Sequence, residues 1–307
     1  MKKQWAIMLA LTFIITAHAA ACDICGCGAG SYYIGMLPEF NKKIMGLRFR
    51  YNALRTHLGA GGQTSYLTTR EHYRTAELWG GWNLGAKIRL MGYLPVSFNE
   101  KRNQSGGASK TGLGDAGAQV LYKLLDQKKA MGTKLLVHTL WMGAGVKLPT
   151  GKYEKPVKTT GQQDANIFQL GTGSTDFTAN AMYDIRIQDM GLNAQLSYKL
   201  NTVNSDQYRY GNRLTANIQA YHKFRIARKW TLSPNMGALY ETSRQDNDNG
   251  FKVPVSGGNL LAGTIGFEAV FNGFTIGGNF QEPLHQEMAG GFVKAGSRAM
   301  LHCAILF

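Results

Sequence analysis

The chain ends on Ser297-Arg298-Ala299-Met300-Leu301-His302-Cys303-Ala304-Ile305-Leu306-Phe307. Taken alternately, Phe307, Ile305, Cys303, Leu301 and Ala299 form one apolar row. Arg298, Met300, His302, Ala304 and Leu306 form the other, which is more polar toward its start. A period of two is that of a β-strand, whose successive side chains point to opposite faces. A strand with two unlike faces suits the edge of a soluble sandwich or the wall of a barrel. The residues upstream decide between them.

From Lys42 onward the same alternation recurs. Leu47, Phe49, Tyr51 and Ala53 oppose Gly46, Arg48, Arg50 and Asn52. Ala76, Leu78, Gly80, Trp82 and Leu84 oppose Thr75, Glu77, Trp79, Gly81 and Asn83. Ile88, Leu90, Leu94, Val96 and Phe98 oppose Lys87, Arg89, Met91 and Tyr93. The clearest later example sets Phe177, Ala179, Ala181, Tyr183 and Ile185 against Asp176, Thr178, Asn180, Asp184 and Arg186. About twelve such strands are expected, each near the ~9–11 residues that cross a bilayer at a tilt. Pro234 is expected to interrupt the ninth, Trp230 to Glu241.

The connections between strands alternate in length. Gly85-Ala86, Gln188-Asp189-Met190 and Asn272-Gly273 are short, and Asn-Gly is a hairpin signal. Thr56 to Thr69, Asn99 to Lys110, Gly151 to Gly173, Thr242 to Gly258 and Pro283 to Gly296 are long. Short turns at one end and long loops at the other is the outer-membrane barrel pattern, with the short turns periplasmic. A soluble sandwich has no reason to sort its loops by parity. The fold class is therefore all-β, a transmembrane antiparallel β-barrel over residues 42–307. Both mature termini are expected in the periplasm of a Gram-negative bacterium.

Composition agrees. The 307 residues include 38 Gly but 7 Pro, with 11% aromatics, as many short strands and turns require. A mean hydropathy of −0.22 excludes a polytopic helical membrane protein but not a barrel, where polar and apolar residues average out. The formal charge of +15 is spread along strands and loops, so no nucleic-acid partner is expected. Outer-membrane lipids are the expected surroundings, and a basic lumen or rim accounts for the charge.

Residues 1–21 read as a signal peptide. Lys2 and Lys3 precede an apolar core from Trp5 to Ile15 and then Ala17-His18-Ala19-Ala20-Ala21. Residues 22–41 form a Cys- and Gly-rich segment, periplasmic or lumenal, that opens Cys22-Asp23-Ile24-Cys25-Gly26-Cys27.

In lipid every backbone group must be paired, so the sheet must close, with its apolar row outward and its polar row inward. The inward row then places Arg48, Arg50, Glu77, Lys87, Arg89, Asp115, Asp176, Asp184, Arg213 and Arg298 along a lumen. Such charges must pair or be hydrated. They either cross-link the wall in ion-pair ladders or line a polar, basic-leaning conduit for a small solute.

Gly112-Leu113-Gly114-Asp115, then Leu148-Pro149-Thr150-Gly151, then Leu170-Gly171-Thr172-Gly173-Ser174-Thr175-Asp176-Phe177 occur in that order. In this order and strand placement the chain resembles the outer-membrane barrels grouped as MetA-pathway of phenol degradation. The resemblance covers much of residues 42–307 and implies a barrel for passage of small molecules such as apolar or aromatic compounds, a channel or transporter. No enzyme is expected, because His57, His72, His138, His222, His285 and His302 are scattered and none lies near a serine in a recognisable pattern. The resemblance also implies that Phe307 is an assembly signal read by the barrel assembly machinery. The Cys22–Cys27 segment is similar to the N-termini of a Bacteroidetes-type subset.

Three closely spaced thiols cannot all pair among themselves, and Cys303 faces lipid by alternation. A disulfide with a lipidated or free third thiol, or a soft-metal site for Cu or Zn on Cys22, Cys25 and Cys27, both fit the spacing. The second choice supports an alternative function, membrane-anchored metal capture or docking. No other cofactor is expected. Asp246, Asp248 and Gly250 lack EF-hand spacing and read as a solvated loop.

Overall fold

A computed structural model describes residues 42–155, 166–226 and 229–307. The signal peptide, the 22–41 segment and all three of its cysteines lie outside the described residues. Twelve long strands form the wall: β1 Ile44–Thr56, β2 Thr69–Leu84, β3 Ile88–Asn103, β4 Gly117–Met131, β5 Lys134–Lys147 and β6 Asp176–Ile187. They continue as β7 Met190–Leu200, β8 Arg213–His222, β9 Trp230–Ser243, β10 Gly258–Phe271, β11 Phe274–Met288 and β12 Lys294–Leu306. Each pairs antiparallel with the next in sequence, and β12 returns to β1, so the sheet closes. Ile44 faces Leu306 and Tyr51 faces Ala299 in that last ladder. Phe307 extends the seam, exchanging backbone hydrogen bonds with Lys43 at 3.0 and 3.1 Å.

The alternation sorts the faces as expected. Outside stand Leu47, Phe49, Leu78, Trp82, Leu94, Leu196, Ile218, Ile265, Leu301 and Ile305, all exposed. Inside, Arg48, Glu77, Arg89, Asp176, Arg213, Glu241, Glu268 and His302 are buried. In a soluble protein this surface would be inside out. A lipid belt makes it the stable arrangement. Cys303 sits in the outward row, paired with Leu47 and Ile276.

The short turns lie at one end, where left-handed residues close them: Gly85, Gly132, Gln188, Asn272 and Gly273 all have positive φ. At the other, loop end, the strands outlast their sequence estimate. β3 continues to Asn103 and folds back as an arm, Gly106–Leu113, so most of the expected Asn99–Lys110 loop is strand. β11 likewise runs to Met288 through the expected Pro283–Gly296 loop. Above the barrel, Tyr208–Arg209, Asn247–Asp248 and Phe251–Lys252 form a small sheet. Asp246 is therefore no solvated loop residue: it is buried, accepting from the Gly211 amide at 2.8 Å and the Tyr208 hydroxyl at 2.5 Å.

Pro234 does not interrupt β9, which runs from Trp230 to Ser243 with Pro234 facing Phe267. It sits in the outward row, so its ring meets lipid and costs no interior packing. Pro95 has the larger effect. β3 pairs with β4 as far as Tyr93 and with the arm from Val96 onward, and the ladder breaks between them. A proline has no N–H to donate, and its carbonyl still accepts from Gly114 at 2.9 Å. The chain jogs at that break and turns Asp115 inward.

The seam fixes the register of β12, and a slip of one residue would turn every side chain to the opposite face. Cys303 is therefore expected to resist charged, water-soluble thiol reagents in the folded barrel and to react after unfolding, followed by peptide mapping. Rapid labelling of Cys303 in folded protein would contradict the register.

Candidate functional site: the barrel interior and its loop latch

Three layers fill the interior. Nearest the turn end, Ile44, Trp79, Met91, Tyr93, Leu121, Trp141, Ala304 and Leu306 form an apolar cluster. Cations cap it: the Arg48 guanidinium lies 4.7 Å from the Trp79 ring and the Lys123 ammonium 5.0 Å from Trp141. Such contacts let charge border an apolar layer at low cost.

The middle layer is ionic. Glu77, fully buried, accepts from Arg48 at 2.9 Å and Arg50 at 3.1 Å, one on each carboxylate oxygen. Arg298 meets Glu241 at 2.9 Å, and His302 meets Glu268 at 3.0 Å. Cross-strand register brings these partners together. Glu268, Gly277, His302, Arg48 and Glu77 follow one another across β10, β11, β12, β1 and β2. Each carboxylate on that rung thus lies beside, or one glycine away from, its hydrogen-bonding partner.

At the loop end, Leu54, Tyr73, Leu260, Met288, Val293 and Ala295 receive Ile167, with Phe168 packed against them. Two ammonium groups flank the Phe168 ring, Lys101 at 4.9 Å and Lys110 at 5.6 Å. Ile167 and Phe168 belong to the described segment 166–175, which thus turns inward over the mouth.

What holds that loop is a latch made from the three stretches that carry the family resemblance. Asp115 is its centre. One carboxylate oxygen accepts from the Gly151 amide at 3.0 Å. The other accepts from the Thr172 amide at 2.8 Å, its hydroxyl at 3.0 Å and Lys147 Nζ at 2.6 Å. Lys147, which also donates to Thr172 Oγ1, bridges to Asp176 at 2.8 Å, and Asp176 meets Lys199 at 3.3 Å. Ser174 Oγ and the Thr202 amide donate to the remaining Asp176 oxygen. Thr150 Oγ1 donates to the Gly114 carbonyl and accepts from the Ala116 amide. Gly151 and Gly171 meet so closely that a Cβ on Gly151 would lie 2.8 Å from the Gly171 Cα. Only glycine permits that approach.

Farther out, Gln169 donates to the Glu154 carbonyl and to Asn166 Oδ1, both at 2.6 Å, and accepts from the Glu154 amide. Hydrogen bonds from Lys110 and then Lys152 hold the Glu154 carboxyl down at about 2. Its depressed pKa makes this contact a source of loop stability that is complete above about 4.5 and lost as the pH falls toward 2.

The interior is filled unevenly. Along β6, β7 and β8 the inward side chains Asn180, Asp184, Gln195, Ser197 and Asn217 stay half-buried. They stand in register: Asn180 faces Ser197, Asp184 faces Asn193, and Gln195 faces Asn217. Asp184 also accepts from Tyr221 at 3.0 Å. This strip is mainly carboxamide and hydroxyl.

The residues expected along the lumen thus separate. Arg48, Arg50, Glu77, Arg89, Arg213 and Arg298 share the buried or part-buried ionic interior. Asp115 and Asp176 hold the latch, and Asp184 borders the amide strip. Lys87 is a correction: it is exposed in the turn between β2 and β3, outside the wall row. Phe307 lies at the seam beside Trp82, its ring centroid 6.3 Å away. The alternation places Asn180 and Asp184 on the inward row, but that they form one strip with Gln195, Ser197 and Asn217, and that Lys147 joins Asp115 to Asp176, depends on register across strands.

The family model described as "Putative MetA-pathway of phenol degradation" matches residues 48–273. The fold is similar to an outer membrane channel from Pseudomonas putida F1, at 13% identity and a TM-score of 0.55, covering 87% of this chain and 96% of that one. It is also similar to the beta domain of the Bordetella autotransporter BrkA, at 10% identity and a TM-score of 0.51, covering 87% of this chain and 100% of that one. None of the curated proteins matches.

Asp115→Ala is expected to free the loop. Removing one partner of a buried pair costs about 3–5 kcal/mol. Hydrogen exchange at the Gly151 and Thr172 amides should quicken while the wall of β9 to β12 stays protected. Unchanged exchange at both amides would rule out the latch.

Proposed function

The chain belongs to the MetA-pathway of phenol degradation family, and on that footing we propose that it is an outer-membrane channel or transporter for a small hydrogen-bonding solute. The observation that carries this reading is the amide strip of β6 to β8, a run of half-buried polar side chains on the ring's inner face. Carboxamides and hydroxyls offer both donors and acceptors, so they can exchange partners with a solute step by step. Conduction needs binding weak enough to release, which neutral groups supply better than unpaired charges do.

The ionic layer has a different role in this reading. Its charges are largely engaged with one another, which stiffens the wall opposite the strip. Bases outnumber acids on the inner face, so any leak of ions favours anions. The loop end faces outward and the turn end the periplasm, with both mature termini there. Ile167 and Phe168 then stand at the outer mouth as an apolar constriction that solute must pass or displace.

Two measurements on protein reconstituted in liposomes test this. The unmodified barrel should swell vesicles in small neutral polyols, and Gln195→Leu with Asn217→Leu should cut that rate several-fold. Ile167→Ser with Phe168→Ser should raise it and increase single-channel conductance. Vesicles that stay tight with all three proteins would sink the channel reading. Clear cation selectivity would sink its charge component.

A further inference from the structure

We propose that the outward face at the loop end binds the phosphate groups of an anionic lipid in the surrounding leaflet. Its centre is a single rung of basic side chains. Lys294 of β12 faces Arg55 of β1, Arg55 faces Arg70 of β2, and Arg70 faces Arg102 of β3. All four are exposed and lie in the outward row.

Like charges directly opposite one another across strands destabilise a sheet. Here four stand side by side. No carboxylate among the described residues pairs with Arg55, Arg70 or Arg102. Lys294 donates to the Gly62 carbonyl at 3.2 Å. Two acids border the rung on this face: Glu287 of β11 stands exposed opposite Lys294, next to the Met288–Val293 bridge, and Glu100 lies one rung below beside His72, engaged by Arg74 at 3.4 Å. Glu282, on β11, is held by Ser297. The three guanidinium groups of Arg55, Arg70 and Arg102 are left side by side, and an anion from outside the protein would relieve their repulsion.

The level of the rung says what kind of anion. Below it the same strands present Tyr51, Arg74 and Phe98, then Phe49, Ala76, Val96 and Leu113, then Leu47, Leu78 and Leu94. This is the passage from belt to interface. Arg70 is four residues beyond Arg74, about 10 Å along the membrane normal for a strand rising ~3.3 Å per residue at ~40° tilt. That is headgroup depth. Guanidinium groups in a row suit the paired oxygens of phosphate esters. A phosphorylated lipid, with its acyl chains on the apolar rows and its phosphates on the rung, meets both surfaces at once.

The test follows the unboiled band of full-length purified barrel in detergent as temperature rises. A bisphosphorylated glycolipid should raise its midpoint, and the same lipid stripped of phosphate should not. In Arg55→Gln, Arg70→Gln, Arg102→Gln protein the apparent affinity should fall on the order of a hundredfold, since each basic group near an anionic headgroup layer is worth roughly a factor of five. Changing all three to Lys should restore most of it. Where the Gln triple does not assemble, Arg70→Gln alone serves, with about a fivefold loss expected. Equal midpoints with phosphorylated and stripped lipid, or equal affinity in variant and unmodified barrels, would overturn the proposal. So would an equal shift produced by inorganic phosphate alone, which would mark a free-anion site.

Discussion

Within a bilayer there is no water to satisfy an unpaired backbone amide or carbonyl, and each one left open costs several kcal/mol. The β1–β12 seam meets that demand. Its register runs from Ile44 and Leu306 to Arg55 and Lys294, with one irregularity near Asn52. Without that seam two long strand edges would face lipid. Closure in turn dictates which face each residue takes, because the side-chain period is two and the register is shared around the ring. The buried ionic interior, the apolar exterior and the basic rung outside all inherit their positions from it.

Closure also creates the problem of filling the inside. Polar side chains on the inward row cannot reach bulk water once the interior is crowded, so they must satisfy one another. Glu77 with Arg48 and Arg50, Arg298 with Glu241, and His302 with Glu268 do this across strands that are distant in sequence. Buried ion pairs add little net stability by themselves, because desolvation offsets most of their attraction. Their effect is on shape. They tie the strands of one side of the ring together, opposite the strip of β6 to β8.

The latch joins wall and loop. Asp115 can enter the interior because β4 jogs where Pro95 interrupts the ladder, and Gly151 and Gly171 are small enough to converge on it. One carboxylate then fixes two backbone amides, a hydroxyl and a lysine. Each ordered loop residue costs about 1–2 kcal/mol of entropy. The dense hydrogen bonding of Asn166, Gln169, Tyr210 and Asn204 offsets that cost and aims Ile167 and Phe168 at the mouth.

The sequence by itself determined the strands, their two faces and the sorting of loops to one end. These are short-range signals: a period of two, a turn dipeptide, a run of polar residues between apolar ones. It located Arg48, Glu77 and His302 on the inward row and Cys303 on the outward one. It could not reveal that Gly112–Asp115, Leu148–Gly151 and Leu170–Asp176 are three parts of one structure, because their meeting depends on how far β3 to β6 are staggered. For the same reason it misread Asp246 as solvated and Lys87 as part of the wall. A residue's face follows from its neighbours in the chain, but its partners follow from register across strands. Only the closed ring sets that register, and with it which charges are paired, which carboxamides line up in one strip, and which arginines stand together on the outward face.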